Sequence, residues 1–265
     1  MLEVIGYIAA IGIGLTLGLI GGGGSILTVP VLVYLFGLPP VTATSYSLFV
    51  VGISSFSGLW PRIRRREFDL SSVLFFGGSS LITVFLIRTF VTPGIPEYIR
   101  LFGYVLKTGM LLMILFAVLM LMASMSMIGI RETAEEQTET AQRTQPWKLL
   151  LYGIGTGLIT GMLGAGGGFL IIPVLTYFCH LPIRKAIGTS LCIITINALI
   201  GFGTDLFHRT PDWVFLLSIT ATAALGMFIG NSIGAKLSSR QLRKGFGWFV
   251  LVMAVYILFM EYGRS

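Results

Sequence analysis

An offset of 143 residues, Gly21 to Gly164, lays this chain on itself. Gly18–Leu48 then falls on Gly161–Leu191 with 14 identities in 31 positions. They include Gly21/Gly164, Gly23/Gly166, Gly24/Gly167, Pro30/Pro173, Tyr34/Tyr177, Pro39/Pro182, Ala43/Ala186 and Ser47/Ser190. Shared apolar composition would give about four or five matches and would not bring glycine onto glycine and proline onto proline. The chain is an internal repeat, so whatever one half folds into is built twice.

Each half holds five apolar runs. The first five are Val4–Ile20, Ile26–Phe36, Val41–Trp60, Leu70–Phe90 and Leu101–Ala123; the second are Leu149–Leu163, Phe169–Phe178, Ala186–Phe207, Trp213–Ala235 and Phe246–Met260. Several reach the roughly 20 residues that cross about 30 Å of hydrocarbon as helix. The second run of each five is too short to cross alone, which leaves open whether it crosses with its flanks or dips in and returns. Hydrophobic residues make up 55% of the chain and charged residues 11%, against about 25% charged in a soluble domain. Backbone in lipid must satisfy its own polar groups, and helices do so within one segment. The expected class is an all-α polytopic membrane protein of two repeats, with glycine-broken helices. The expected divisions are a first membrane repeat at 1–128, a cytoplasmic flexible linker at 129–147 and a second, inverted repeat at 148–265. The linker carries Glu132, Glu135, Glu136 and Glu139 without apolar periodicity, as a solvated segment does.

The net charge of +7 does not point to nucleic acid, because the basic residues sit in short breaks between apolar runs, where the positive-inside rule puts them. With Arg62, Arg64, Arg65 and Arg66 in the cytoplasm, an inverted second half brings Arg131, Arg143, Lys148, Arg184, Lys185, Lys236, Arg240, Arg243 and Lys244 inside too, 13 of the 18 basic residues. A parallel repeat would send the last cluster outside. Both chain ends are expected outside, and Met1-Leu2-Glu3 lacks the basic start of a cleavable signal.

Gly21-Gly22-Gly23-Gly24-Ser25 and its copy Gly164-Ala165-Gly166-Gly167-Gly168 interrupt apolar sequence, with Pro30 or Pro173 following. Such a break survives in a bilayer only where protein buries it or an aqueous cavity touches it. Broken helices at matching places in two inverted halves point to a transporter's binding site, and a helix that restarts there favours an anion. Close helix packing is the alternative reading, and it is the one adopted for Gly14/Gly18 and Gly153/Gly157/Gly161. A dinucleotide loop is excluded, since neither cluster lies in a strand–turn–helix unit; no cofactor is expected.

The substrate-binding candidates are therefore Gly22, Gly23, Gly24 and Ser25 with Gly166, Gly167 and Gly168. To these are added the hydroxyl sets Ser45, Tyr46 and Ser47, and Thr189 and Ser190, expected at equivalent depths, with Asn197 further along. Bonding of these hydroxyls to their own helix carbonyls is the competing reading. Lys107, two turns into its run, either attracts substrate from within or snorkels outward. Asp205 is expected to pair locally with His208 and Arg209. Cys179 and Cys192 read as small core residues, since neither has a metal-ligand spacing.

Taken together these motifs resemble the TauE/SafE sulfite exporter family, also known as the toluene-sulfonate uptake permease family. The resemblance is carried by Gly21–Ser25 leading into Leu27-Thr28-Val29-Pro30-Val31-Leu32. In the second half it is carried by Gly161–Gly168, Ile171-Ile172-Pro173-Val174-Leu175 and Ala186-Ile187-Gly188-Thr189-Ser190-Leu191. It implies movement of sulfur-containing or organic anions, such as sulfite or sulfonates, across the bacterial cytoplasmic membrane. The expected function is a secondary transporter, in the export direction, using alternating access around a midplane site. A passive anion channel and a sulfur-relay protein using Cys179 or Cys192 are the alternatives. The expected partners are a small anion and the lipid bilayer, with homo-oligomerisation left open.

Overall fold

The computed structural model describes residues 2–96, 98–101, 104–129, 145–164, 166–179, 181–208, 210–234 and 239–263. The expected linker thus falls largely outside the described residues, as do Ala165, Arg209 and Lys236. Among the described residues ten helical segments, five per half, carry the architecture. In the first half they are α1 (Leu2–Ile20), α2 (Thr28–Tyr34), α3 (Pro40–Arg64), α4 (Leu70–Gly94) and α5 (Thr108–Gly129). In the second they are α6 (Pro146–Leu163), α7 (Gly168–Pro173), α8 (Ile183–Asp205), α9 (Trp213–Gly234) and α10 (Ser239–Tyr262).

Local chemistry sets several of the starts. Pro40 opens α3 in the first-turn position that needs no donor, and Pro39 and its copy Pro182 stand at the cap positions just ahead of α3 and α8. The Asp69 carboxylate accepts from the Ser72 amide at 2.7 Å and caps α4. Within α4, wide turns at Val73–Gly77 and Ile87–Val91 take an extra residue.

The fifth run of the first half departs from its expected start. Tyr98–Leu101 (β1) and Tyr104–Lys107 (β2) form an antiparallel hairpin with Tyr98 opposite Lys107, and α5 begins only at Thr108. The continuous apolarity of this stretch reads as the start of a span and hid the hairpin.

Small residues decide how the helices pair. Tyr7 and Ser218 hydroxyls lie 2.9 Å apart, while Gly14 sits on Ala223 and Gly18 on Met227 and Asn231, so α1 runs parallel to α9. In the same sense Gly153 sits on Phe76, Gly157 on Ser80 and Gly161 on Val84, so α6 runs parallel to α4. A methyl at any of these glycines would strike the neighbouring helix, which is how small residues let backbones approach in lipid. By contrast α3 and α8 are antiparallel: Leu48 meets Gly201, Gly52 meets Ala198, and the Glu67 carbonyl meets Gly188. α5 and α10 associate as well, with Ser124 donating to the Gly247 carbonyl at 2.9 Å. Exchanging the halves turns the α1–α9 pair into the α6–α4 pair.

The short second segments do not continue across the bundle. α2 is seven residues, about 10 Å of helix, and it leads back to where α1 began. Phe36 packs edge-on against Tyr7 at 5.7 Å, and Tyr34 donates to Glu261 at the end of α10. In the second half, Phe178 beyond α7 packs on Tyr152 near the start of α6 at 4.9 Å. Each half therefore contains a helical hairpin whose tip is the glycine cluster. Arg62–Arg66, Lys148, Arg184 and Lys185 gather at the end where α3 finishes and α8 starts, the basic end.

Among the described residues, four helical stretches are long and apolar enough to cross a membrane: Leu70–Gly94, Thr108–Met125, Arg184–Asp205 and Trp213–Ile233. Isoleucine, leucine, phenylalanine and valine side chains such as Ile82, Phe90, Val214, Leu225 and Phe259 stand exposed on the outside, as lipid-facing residues do.

Candidate functional site

The two hairpin tips are non-helical because glycine takes a backbone conformation other residues resist. Gly22 stands at φ 110° ahead of a tight turn over Gly23–Leu27, and Ser25 donates through Oγ to the Gly22 carbonyl at 2.8 Å. Gly164, at φ 66°, ends α6, and Gly167, at φ 70°, starts α7. The tips touch: a methyl added at Gly168 would land on the Gly22 carbonyl oxygen, and Ile194 lies against both. Gly166 rests on Val51 and Ile194. Ile194 is eleven residues from either end of α8, and Val51 is near the middle of α3. Two broken helices therefore meet at half the depth of the crossing pair α3–α8.

Past that meeting point each tip reaches a different end. The first continues to Ile187, on which Gly21 sits, and Ser190 ties it down by donating to the Gly21 carbonyl at 2.8 Å. The second continues to Thr44 and Arg88, both against Gly164.

This arrangement separates the hydroxyls that the sequence placed at equivalent depths. Because α3 and α8 are antiparallel, the repeat puts the two sets at opposite ends. Thr189 accepts from the Asp69 amide at 2.9 Å near the basic end. Ser45 and Tyr46 line a cavity at the far end, and Tyr46 accepts from the Asp212 amide at 2.7 Å. Ser47 is fully buried, and its Oγ has no hydrogen-bond partner among the described residues. Asn197 donates to Ser80 Oγ at 2.7 Å, while its Oδ1 is unpartnered among them. Lys107 is the clearest displacement: it ends β2, exposed, and is not inside a helix. Neither cysteine forms a disulfide among the described residues; Cys179 is buried and Cys192 half-buried.

Two residues outside the candidate set drawn from the sequence, Arg88 and Asp205, lie inside. Arg88, on the second wide turn of α4, is 1% exposed, and its Nη1 donates to Asp205 Oδ2 at 2.8 Å. Asp205 thus pairs across the repeat rather than with His208, whose Nδ1 lies 3.3 Å from the Thr204 carbonyl oxygen. Burying a charge in a medium of low dielectric is tolerable only with a hydrogen-bonded counter-ion, and the two supply each other's. On its other side Arg88 lies against the turn at Gly164, where a β-carbon would stand 2.7 Å from Nη2. Asp205 lines the far-end cavity of about 590 Å³ together with Thr42, Ser45, Tyr46, Phe202 and His208. The sequence held a signal for this pair: one lone cation and one lone carboxylate, each in an apolar run of a different half.

Residues 6–257 match the sequence family described as Sulfite exporter TauE/SafE. A probable membrane transporter protein of Xylella fastidiosa is 29% identical over 255 residues, covering 94% of this chain and 92% of its own. One of Methanocaldococcus jannaschii is 26% identical over 276 residues, covering 97% and 94%. The probable membrane transporter protein YdhB of Bacillus subtilis is 26% identical over 224 residues, covering 82% and 84%. No solved structure matches the chain.

Proposed function

Because the chain belongs to the sulfite exporter TauE/SafE family and is a membrane transporter of that type, we propose that it exports small sulfur-containing or organic anions across the bacterial cytoplasmic membrane. It does so as a secondary transporter, by alternating access around the glycine tips. The observation that carries this reading is the meeting of Gly22 with Gly168 at mid-length of α3 and α8. Irregular backbone at that depth survives only where protein buries it or a cavity touches it, and the two breaks come from opposite halves, as in transporters whose site lies between inverted repeats.

The antiparallel course of α3 and its copy α8 supports the inverted orientation. The gathering of Arg62–Arg66, Lys148, Arg184 and Lys185 at one end supports that end as the cytoplasmic one. The far-end cavity then faces outward, and motion of one hairpin-bearing half against the other closes it and opens the basic end.

Counterflow in proteoliposomes tests the reading. Vesicles preloaded with unlabelled sulfite should transiently accumulate radiolabelled sulfite, with a rate that saturates. A current that rises in proportion to anion concentration, without counterflow, would mark a channel and end the carrier reading.

A further inference from the structure

We propose that Arg88 is the residue that receives the negative charge of the transported anion, and that Asp205 is a tethered competitor holding the guanidinium between substrate visits. This rests on the transporter reading above and names the charge recognition within it.

Arg88 is the single buried cation among the described residues. A buried ion pair is a poor stabiliser compared with apolar side chains of the same volume, so stability does not account for placing one in lipid-embedded helices. Its location does. The guanidinium lies against the turn at Gly164, beside Thr44, where the second tip ends. The Asp205 carboxylate lies between that guanidinium and the cavity, since it both bonds Arg88 and lines the cavity wall. An anion entering past His208 and Tyr46 meets a carboxylate that already bonds the guanidinium it needs. Sulfite, sulfonate and carboxylate groups present oxygens that suit the same planar donor pair. Exchange of one oxyanion for another keeps the guanidinium compensated throughout, which lets a buried charge bind and release without ever standing bare.

The repeat adds an independent argument. Ser190 fastens the first tip by bonding the Gly21 carbonyl. Its counterpart Ser47, one helical turn from Thr44, is buried with no partner among the described residues at the second tip. The same offset of 143 places Asn231 at the counterpart of Arg88, so only the second tip carries a charge. One tip is anchored and neutral; the other meets a cation at Gly164, with an unengaged hydroxyl one helical turn from the Thr44 that touches the same turn. Because Arg88 belongs to α4 and Asp205 to α8, the bond also joins the halves that must move apart. Replacing Asp205 by a substrate anion releases that tie.

The test is binding to the purified full-length protein, with sulfite and methanesulfonate as probes, followed by counterflow. Asp205→Asn removes the competitor and should bind both probes about 10-fold tighter. Arg88→Gln combined with Asp205→Asn removes both charges of the pair; it should keep a wild-type thermal transition yet bind about 100-fold more weakly. Arg88→Lys keeps the charge without the fork and should fall between. A folded double variant that binds like wild type would overturn the proposal and leave the carrier reading standing. If the double variant does not fold, Asp205→Asn decides alone: unchanged or weaker binding overturns the proposal. Wild-type protein that neither binds nor exchanges either probe overturns the carrier reading and this proposal with it.

Discussion

Arg88 Nη1 lies 2.8 Å from Asp205 Oδ2, and this bond joins α4 of one half to α8 of the other. Both partners are nearly water-free, so the pair is neutral only as a pair. The bond sits where α4 widens into a turn with an extra residue, a feature that aims a side chain inward at some expense to helix regularity. The bond is thereby a polar tie between the two halves at the wall of the far-end cavity.

Asp205→Asn in the absence of added anion should destabilise the protein by about 3–5 kcal/mol, because it leaves the Arg88 charge buried without its counter-ion. A lowered thermal transition in detergent checks this. Added sulfite at about 100 times its Kd should return about 2.7 kcal/mol to the variant. The same addition to Arg88→Gln should return nothing, since the receiving charge is gone.

Gly22→Ala should cost about 1–3 kcal/mol from backbone strain alone at φ 110°. Its methyl would also collide with Ile194, so counterflow should be lost. Gly155→Ala is the control: nothing lies within 4 Å of that position, and stability should change by less than about 1 kcal/mol. Equal loss of transport in both variants would mean that the tip is not special.

The repeat, the class and the five-and-five segmentation are legible in the sequence because glycine and proline recur at one offset and apolar runs have helical length. Lys107 is misread because Tyr98–Lys107 is as apolar as a helix, and composition does not distinguish a hairpin from the start of a span. Asp205 is misread because His208 and Arg209 are near in sequence, whereas its partner Arg88 is 117 residues away. The hydroxyl sets show what a repeat alone leaves open. Ser47 and Ser190 are equivalent by offset, yet the antiparallel course of α3 and α8 carries them to opposite ends. Only contacts such as Ser190 to Gly21 reveal that one is an anchor and the other is not.

Ser190→Ala and Ser47→Ala should therefore separate anchoring from binding. Ser190→Ala loses a buried bond to a tip carbonyl and should lower stability by about 1 kcal/mol. Ser47→Ala removes a hydroxyl without a partner among the described residues, so stability should hold within about 0.5 kcal/mol while sulfite affinity falls. Thermal shift and probe binding on the two variants check both halves of this expectation. The reverse pattern would assign Ser47 to the scaffold.

Under the export proposed above, a potential acting on the charged solute would supply the drive without a coupled ion. The buried carboxylates among the described residues, Asp205 and Glu261, lie at the ends of α8 and α10 and are bonded to Arg88 and Tyr34. Neither stands at the depth of the glycine tips, where a proton relay would act. Uncoupled movement of a monovalent anion gains roughly 2.3 kcal/mol per 100 mV, which corresponds to about a 50-fold gradient. Methanesulfonate in vesicles clamped at 100 mV, inside negative, should therefore distribute about 50 to 1 in favour of the outside. Either orientation of the protein in the vesicle gives the same end point, because the distribution is an equilibrium. A distribution that stays near unity at that voltage would mean the anion's charge is balanced by a co-transported cation or an exchanged anion, and the uncoupled mechanism would fail.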